Sequence, residues 1–136
     1  MTEFTFETTL EPQFRDVDPF GHVNQAVYLS YLEQARTKYW ESVVGIRHDR
    51  TPVAIARQEI EYRSPILLDD EVTVRQAIRE LGESSFRIDY EIQAGETVAA
   101  TAEVILIAFD PETQSSIPIS DEWRAPIEEY EETAGE

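Results

Sequence analysis

Cysteine is absent from this chain of 136 residues. The absence excludes disulfides, thiolate nucleophiles and cysteine-ligated metals, and it is compatible with a reducing compartment. Long apolar runs are also lacking, since no stretch approaches the roughly 18 consecutive apolar residues of a membrane helix. The first residues, MTEFTFETTL, have no basic region followed by an apolar run, so they do not predict a secretory signal. We therefore expect a cytoplasmic protein with no membrane partner.

Positive charge is scarce as well. The chain has 28 Asp and Glu but only 11 Lys and Arg, Lys38 is the only lysine, and the formal net charge is -17. Such a surface repels phosphate backbones, so we expect no nucleic-acid partner. The acidity has two explanations: a solvated acidic surface with an acidic tail over about 126–136, or adaptation to high cytoplasmic salt, where counterions screen the repulsion. We favour the second, a halophilic and haloarchaeal-like protein, because the acidic residues are spread along the whole chain.

The residues that are present predict one long helix among strands. Hydrophobic residues make up 41% of the chain, which is typical of a globular protein. From Asn24 onward, apolar residues at three-and-four spacing predict a five-turn helix that ends at Gly45. Alternating or continuous apolar residues predict five strands, over Phe4 to Phe14, Val53 to Tyr62, Glu71 to Ile78, Ser85 to Ile92 and Val98 to Phe109.

This order of elements favours an α+β fold, in which an antiparallel sheet wraps a largely buried helix. The length predicts a single domain over residues 1–136. The polar stretch RHDRTP, residues 47–52, predicts a loop after the helix, and FDPETQSS, residues 109–116, predicts a turn before the acidic end of the chain.

The stretch FRDVDPFGHVN, residues 14–24, carries most of the polar residues before the helix. It opens like a calcium loop, but Phe20 stands at the fifth position and Val27 at the twelfth, where oxygen ligands are needed. The two histidines, His22 and His48, lie far apart and form no zinc motif. We therefore predict no metal site.

Helix capping explains part of this stretch. Asn24 is a good N-cap residue that can accept from the amide of Ala26 or Val27, and Pro19 and Gly21 favour a turn before it. Capping leaves Asp16, Asp18 and His22 unexplained.

Catalysis is the second interpretation. The start of a helix presents unpaired amides that polarise a carbonyl as charge builds on its oxygen. A carboxylate at Asp18 would lie close enough to attack that carbonyl or to take a proton from an attacking water. Asp16, two residues earlier, points to the opposite face in extended backbone, so it is a structural neighbour or one that tunes the titration of Asp18. The spacing alone leaves capping and catalysis both open.

Four segments in the same order resemble the hotdog-fold acyl-CoA thioesterases of the 4-hydroxybenzoyl-CoA thioesterase class: RDVDPFGHVNQAVYLSYLEQAR, IEYRSPILLDDEVTV, ESSFRIDYEI and TAEVILIAFD. The resemblance spans residues 4–127. It implies a hotdog fold, in which a five-stranded antiparallel sheet wraps one long central helix. It also implies an acyl-CoA substrate, with coenzyme A as part of the substrate and no separate cofactor. Copies of the chain would form a homodimer or a homotetramer, with active sites at the subunit interface.

The resemblance also assigns roles within the first motif. The catalytic carboxylate of the family falls on Asp18, and its oxyanion-polarising amide falls on the backbone of Gln25. His22 is assigned to positioning and Asn24 to the helix cap.

One part of the family pattern is missing. The loop before the fourth strand, often basic in relatives and used for the phosphates of coenzyme A, reads Gly82, Glu83, Ser84. The candidate cations for those phosphates are therefore four arginines elsewhere: Arg57, Arg63, Arg79 and Arg87.

Two other functions stay open. A hotdog dehydratase or hydratase resembles D-x-N-P-x-H, but Asp18 stands where Asn belongs and Gly21 adds a residue before His22. A non-catalytic hotdog module would hold acyl groups without hydrolysing them. The acyl specificity is not predicted, because the aromatic residues Tyr28, Tyr31, Tyr39 and Trp40 could line an acyl pocket or belong to the core.

Overall fold

The computed structural model describes residues 3–46 and 52–134. Its central element is helix α1, Gln25–Tyr39, which continues through a π-helical turn, Trp40–Val44. The Asn24 side chain accepts a hydrogen bond from Ala26 N at 2.9 Å, so the predicted N-cap is confirmed. Gly45 ends the helix with a φ of 82°, a left-handed conformation that glycine adopts without steric penalty.

Five long strands form one antiparallel sheet in the order β1-β3-β4-β5-β2. Their bounds are β1 Phe6–Leu10, β2 Val53–Tyr62, β3 Val72–Leu81, β4 Ser85–Ala94 and β5 Thr97–Asp110. The hotdog arrangement is therefore present, but the predicted count of five strands is wrong by one. The turn predicted over 109–116 folds back so that a two-residue strand β6, Ser115–Ser116, pairs with Phe109 and Asp110.

The first strand is shorter than predicted. The chain leaves the sheet after Leu10, and residues Phe14–Asp16 form a 3₁₀ turn, not strand. Pro12 accounts for the early end because it has no backbone N–H to donate to a neighbouring strand. This turn leads into the loop before α1.

The sheet curls around α1 and buries one face of each partner. Along β4 the buried side chains alternate with half-exposed ones, so Phe86, Ile88, Tyr90 and Ile92 all face the core. Register shifts in the pairing of β2 with β5, β3 with β4 and β4 with β5 mark bulges, which increase the bend and twist of a sheet. On the helix, the predicted apolar face is buried at Tyr28, Tyr31, Leu32, Ala35 and Tyr39.

The acidic end of the chain does not form a free tail over the part that the structure describes. Helix α2, Asp121–Ala134, buries Trp123 and Ile127 in the core, and its Glu131 accepts hydrogen bonds from Tyr39 and Thr5. The exposed acids lie on the opposite side of this helix. The loop predicted over 47–52 falls, except for Pro52, outside the described residues. No helix within residues 3–46 and 52–134 is long and apolar enough to cross a membrane.

Candidate active site

A cleft of about 470 Å³ opens beside the start of α1. It lies between the loop before the helix, the helix itself and the end of β2. We call it the Asp18 cleft, and its lining residues are Asp18, His22, Val23, Asn24, Gln25, Tyr28, Tyr62, Arg63, Ser64 and Pro65. The structure thus brings together all four of the residues that the sequence assigned to catalysis.

The Asp18 carboxylate is fixed through one of its two oxygens. Oδ1 accepts hydrogen bonds from Phe20 N at 2.9 Å and from His22 N at 3.3 Å. The backbone of Asp18 also closes the turn, because its N–H donates to His22 O and its carbonyl accepts from Gly21 N. Turn formation therefore explains part of what capping left unexplained at Asp18. No donor within the described residues engages Oδ2, so this oxygen is available to a bound molecule.

The first amide of α1 is similarly available. Asn24 satisfies the next two amides, since its side chain accepts from Ala26 N and its carbonyl accepts from Val27 N. Among residues 3–46 and 52–134 there is no hydrogen-bond acceptor for the Gln25 amide, which belongs to a residue lining the cleft. An unpaired N–H at the positive end of a helix dipole can stabilise a developing oxyanion.

His22 holds the turn through its backbone, not through its ring. Its N–H and carbonyl both bond to Asp18, and the residue forms an isolated bridge with Leu67. The imidazole is exposed and makes no hydrogen bond to any described residue. A positioning role therefore needs no proton transfer by the ring.

Asp16 ends the 3₁₀ turn and borders a different opening from Asp18. Its Oδ2 accepts from Tyr31 Oη at 3.1 Å and from Gln13 N at 2.8 Å, and its carbonyl accepts from Asn24 N. Burial, together with the neighbouring Asp16 carboxylate, raises the pKa of Tyr31 well above its ordinary value, so the phenol keeps its proton to donate. Asp16 thus ties the loop to α1.

Two tyrosines at the cleft were not assigned from the sequence. Tyr62, at the end of β2, donates from its hydroxyl to Gln25 O at 3.0 Å, and Tyr28 donates to Ser64 O at 3.2 Å. Their rings meet edge to face with centroids 5.0 Å apart. Together they hold the end of β2 against the first turn of α1. For Tyr62 the only signal in the sequence is an aromatic residue at the end of a strand, which is too common to indicate a site.

Only one of the four candidate phosphate-binding arginines lies at the cleft. Arg63 lines it and pairs with Glu61 at 3.0 Å, with its side chain half exposed. The other three lie away from the cleft and pair with carboxylates of the strands: Arg57 with Glu59 and Glu103, Arg79 with Asp89, and Arg87 with Glu80 and Glu103. Of the four, Arg63 is the one that borders the Asp18 cleft, and it is the residue that we take forward in a proposal for coenzyme A binding. The described residues include no group of three or more His, Asp or Glu side chains placed to hold a metal ion.

A long helix wrapped by a curled antiparallel sheet is the arrangement of the hotdog class of proteins. The chain belongs to the thioesterase-like superfamily, whose family model matches residues 12–127. The prediction of a thioester hydrolase is confirmed at the level of this family.

Similar proteins support the assignment over nearly the whole chain. A crystal structure of a thioesterase from Thermus thermophilus, complexed with coenzyme A and Zn, is 34% identical with a TM-score of 0.88 and covers 97% of this chain and 98% of that one. The long-chain acyl-CoA thioesterase FadM of Escherichia coli is 26% identical over 90% of this chain and 97% of its own length. The 1,4-dihydroxy-2-naphthoyl-CoA hydrolase of Synechococcus elongatus is 27% identical over 88% and 90%. The two enzymes differ in the acyl group that their names specify, so similarity does not identify the acyl group here.

Proposed function

We propose that this protein is an acyl-CoA thioesterase in which Asp18 is the catalytic carboxylate. The observation that carries the proposal is the geometry of one side chain. Asp18 is held by two backbone amides through Oδ1 and keeps Oδ2 unengaged, in the cleft that the unpaired Gln25 amide also borders. A thioester carbonyl placed in this cleft has an oxygen nucleophile on one side and an oxyanion donor on the other.

Two routes lead from this geometry to products. In the first, Asp18 Oδ2 attacks the thioester carbon, the carbon–sulfur bond breaks, and coenzyme A leaves as a thiolate that takes a proton; water then hydrolyses the mixed anhydride. In the second, Asp18 accepts a proton from a water that attacks the carbonyl directly. The Gln25 N–H stabilises the oxyanion in both. Single turnover in oxygen-18 water separates them, because only the first route puts heavy oxygen into the Asp18 side chain.

The decisive variant is Asp18→Asn, which preserves an oxygen for the Phe20 and His22 amides and removes the negative charge. We expect kcat on an acyl-CoA panel to fall at least about 100-fold with little change in thermal stability. Asp69→Asn is the matched control, since Asp69 is exposed and does not line the cleft. Activity in Asp18→Asn equal to that of the control would remove Asp18 from catalysis.

The rival functions predict other results. A dehydratase or hydratase requires the His22 ring, so near-full activity in His22→Ala excludes it. A non-catalytic module that only holds acyl groups predicts binding of acyl-CoA with no release of coenzyme A by the unmodified protein.

The proposal includes a homodimer that joins two sheets. Strand β2 is an outer strand of the sheet and pairs only with β5 among the described strands. Its outward edge is ten residues long, and it carries the exposed apolar side chains of Ile55 and Tyr62. An edge of this kind readily pairs with a second chain. Sedimentation analysis is expected to find a species of twice the chain mass or a multiple of it, and a fully active monomer would contradict the dimer.

Three finer assignments stay predictions: the 4-hydroxybenzoyl-CoA thioesterase class, a homotetramer, and a cytoplasmic location. The quoted motif around Asp18 supports the first, and the absence of cysteine is compatible with the last.

A further inference from the structure

Arg36 is a buried cation to which the described residues supply no counterion. It lies on the inward face of α1, only 6% of its surface is exposed, and its Nη1 donates to Tyr90 Oη at 3.0 Å. Within the described residues no carboxylate lies within ion-pair distance of its guanidinium. Five other arginines, all on the sheet or at its edge, are paired with Asp or Glu.

Tyr90 cannot balance this charge. It lies fully inside the core on β4, and burial raises the pKa of its phenol although Arg36 acts in the opposite direction. The phenol is therefore neutral at physiological pH. A buried guanidinium is unfavourable unless an anion or several acceptors compensate the lost hydration. The part of the chain that the structure describes therefore leaves this charge uncompensated.

The uncompensated side of Arg36 opens on a second cleft. Its remaining N–H groups are not sealed in the core, and the residue lines an opening of about 460 Å³ between the second half of α1 and the start of β2. We call this opening the Arg36 cleft. Four apolar residues form part of its walls, Trp40, Val53, Ile55 and Leu106. Glu33 and Thr37 stand beside Arg36 on the helix, and Glu33 is exposed to solvent. An apolar side of the cleft next to one buried cation fits a carbon chain that ends in an anion.

The Arg36 cleft and the Asp18 cleft lie at opposite ends of the same two elements. Gln25 and Arg36 are separated by about 16 Å along α1, from a rise of roughly 1.5 Å per residue. Likewise, Val53 and Ile55 begin β2, whereas Tyr62 ends it. If the free edges of two β2 strands pair antiparallel about a two-fold axis, the start of one strand lies opposite the end of the other. The Arg36 cleft of one copy then adjoins the Asp18 cleft of the second copy.

We propose that the Arg36 cleft binds a carboxylate at the far end of the acyl group, so that the preferred substrates are CoA thioesters of dicarboxylic acids. This inference rests on the proposed thioesterase function and names its substrate class. The acyl chain would run from the thioester at Asp18 along the apolar residues of the Arg36 cleft. Its terminal carboxylate would pair with the Arg36 guanidinium, which is suited to binding both carboxylate oxygens.

The test compares acyl groups of equal carbon number with and without a terminal carboxylate. Succinyl-, adipoyl- and suberoyl-CoA are measured against butyryl-, hexanoyl- and octanoyl-CoA. For at least one pair we expect kcat/KM to favour the dicarboxylic substrate by about tenfold or more, because a charge-assisted pair in a desolvated site has this order of effect. In Arg36→Met this preference should vanish, while hydrolysis of the monocarboxylic partner is retained.

Lys38→Met is the matched control, since it removes one positive charge from the exposed side of the same helix. It is expected to keep the preference. If Arg36→Met does not fold, the unmodified protein alone provides the test. A ratio of kcat/KM for the dicarboxylic over the monocarboxylic substrate of one or less, in all three pairs, overturns the proposal. The proposal is also overturned if the protein prefers 4-hydroxybenzoyl-CoA over benzoyl-CoA in a way that depends on Arg36 and shows no preference for dicarboxylic substrates. Arg36 would then bind a neutral oxygen of the acyl group. Absence of hydrolysis on every substrate would instead refute the thioesterase function itself.

Discussion

Asp16 and Asp18 show how two identical side chains two residues apart acquire different tasks. Asp16 ends the 3₁₀ turn, Val17 after it is extended, and the two aspartates border different openings. Asp16 meets Tyr31 and Gln13 and has both a phenol and an amide as donors to one oxygen. Asp18 meets only amides of its own turn and keeps one oxygen open to the cleft. The two carboxylates have different hydrogen-bond partners because they lie in different surroundings, not because the residue types differ.

A prediction at the scale of single residues concerns Arg63. If its guanidinium contacts the phosphates of coenzyme A, Arg63→Gln should raise KM for acyl-CoA about threefold to tenfold and leave kcat nearly unchanged, since an exposed charge pair contributes little more than about 1 kcal/mol. The acyl thioester of N-acetylcysteamine, which has no phosphate, should be hydrolysed equally by both proteins.

Arg57→Gln is a close control for that experiment. Arg57 is exposed to a similar extent, with 58% of its side chain accessible against 53% for Arg63, and it also pairs with a nearby glutamate at 3.0 Å. It does not line the Asp18 cleft. An equal rise of KM in both variants would mean that the effect is one of overall charge and that Arg63 has no specific contact.

Among the elements, α2 is attached to the rest of the molecule by apolar packing and by the polar side chains of Arg124, Tyr130 and Glu131. Glu131 accepts hydrogen bonds from Tyr39 Oη, from Thr5 Oγ1 at 2.9 Å and from Ile78 N at 3.2 Å. These donors belong to α1, to the segment before β1 and to β3. One carboxylate therefore joins three parts of the fold.

Removing this carboxylate should destabilise the protein strongly. We expect Glu131→Ala to lower the free energy of unfolding by about 2 to 4 kcal/mol, because it leaves the buried Tyr39 hydroxyl without its acceptor and removes two further bonds to a charged group. Urea denaturation measures the change. Glu132→Ala, an exposed neighbour on the same helix, should stay within about 0.5 kcal/mol of the unmodified protein. Equal effects of the two substitutions would show that Glu131 has no anchoring role.

The elements themselves were largely predictable, because each has a periodic pattern long enough to read. The buried face of α1 and the alternating burial along β4 were predictable because the spacing of apolar residues indicates which side chains are buried. The short strand β6 and the 3₁₀ turn at Phe14–Asp16 escaped prediction because two or three residues carry no period. The site was predictable at Asp18, Asn24 and Gln25 from a local motif. Tyr62 and Arg36 were not, because their partners, Gln25 and Tyr90, are 37 and 54 residues away in sequence.

At the scale of the whole molecule, the few arginines lie among the excess acidic side chains and form ion pairs with some of them. On the face of the sheet away from α1, Arg75, Arg79 and Arg87 each contact carboxylates of neighbouring strands, at distances of 3.1 to 3.4 Å. With 28 acids against 11 basic residues, most carboxylates nevertheless have no cation to balance them. The exposed acids of α2 add to this surplus.

Salt should therefore stabilise this protein. Raising KCl shortens the screening length from about 10 Å at 0.1 M to about 3 Å at 1 M, which weakens both the repulsion among carboxylates and the ion pairs on the sheet. Exposed ion pairs contribute only about 0 to 1 kcal/mol each, whereas a net charge of -17 acts on the whole surface, so relief of repulsion should exceed the loss. We expect the midpoint of thermal unfolding to rise by several degrees between low salt and molar KCl.

A triple variant of the exposed acids on α2, Glu128→Gln, Glu129→Gln and Glu132→Gln, tests the cause of this effect. All three side chains are exposed, so the substitutions make the net charge less negative without disturbing the core. Because the repulsion among the remaining carboxylates is weaker, the variant should be more stable than the unmodified protein at low salt and should gain less from added KCl. A midpoint that is highest at the lowest salt concentration, in either protein, would show that the ion pairs outweigh the repulsion and would exclude adaptation to high salt as the reason for the acidic composition.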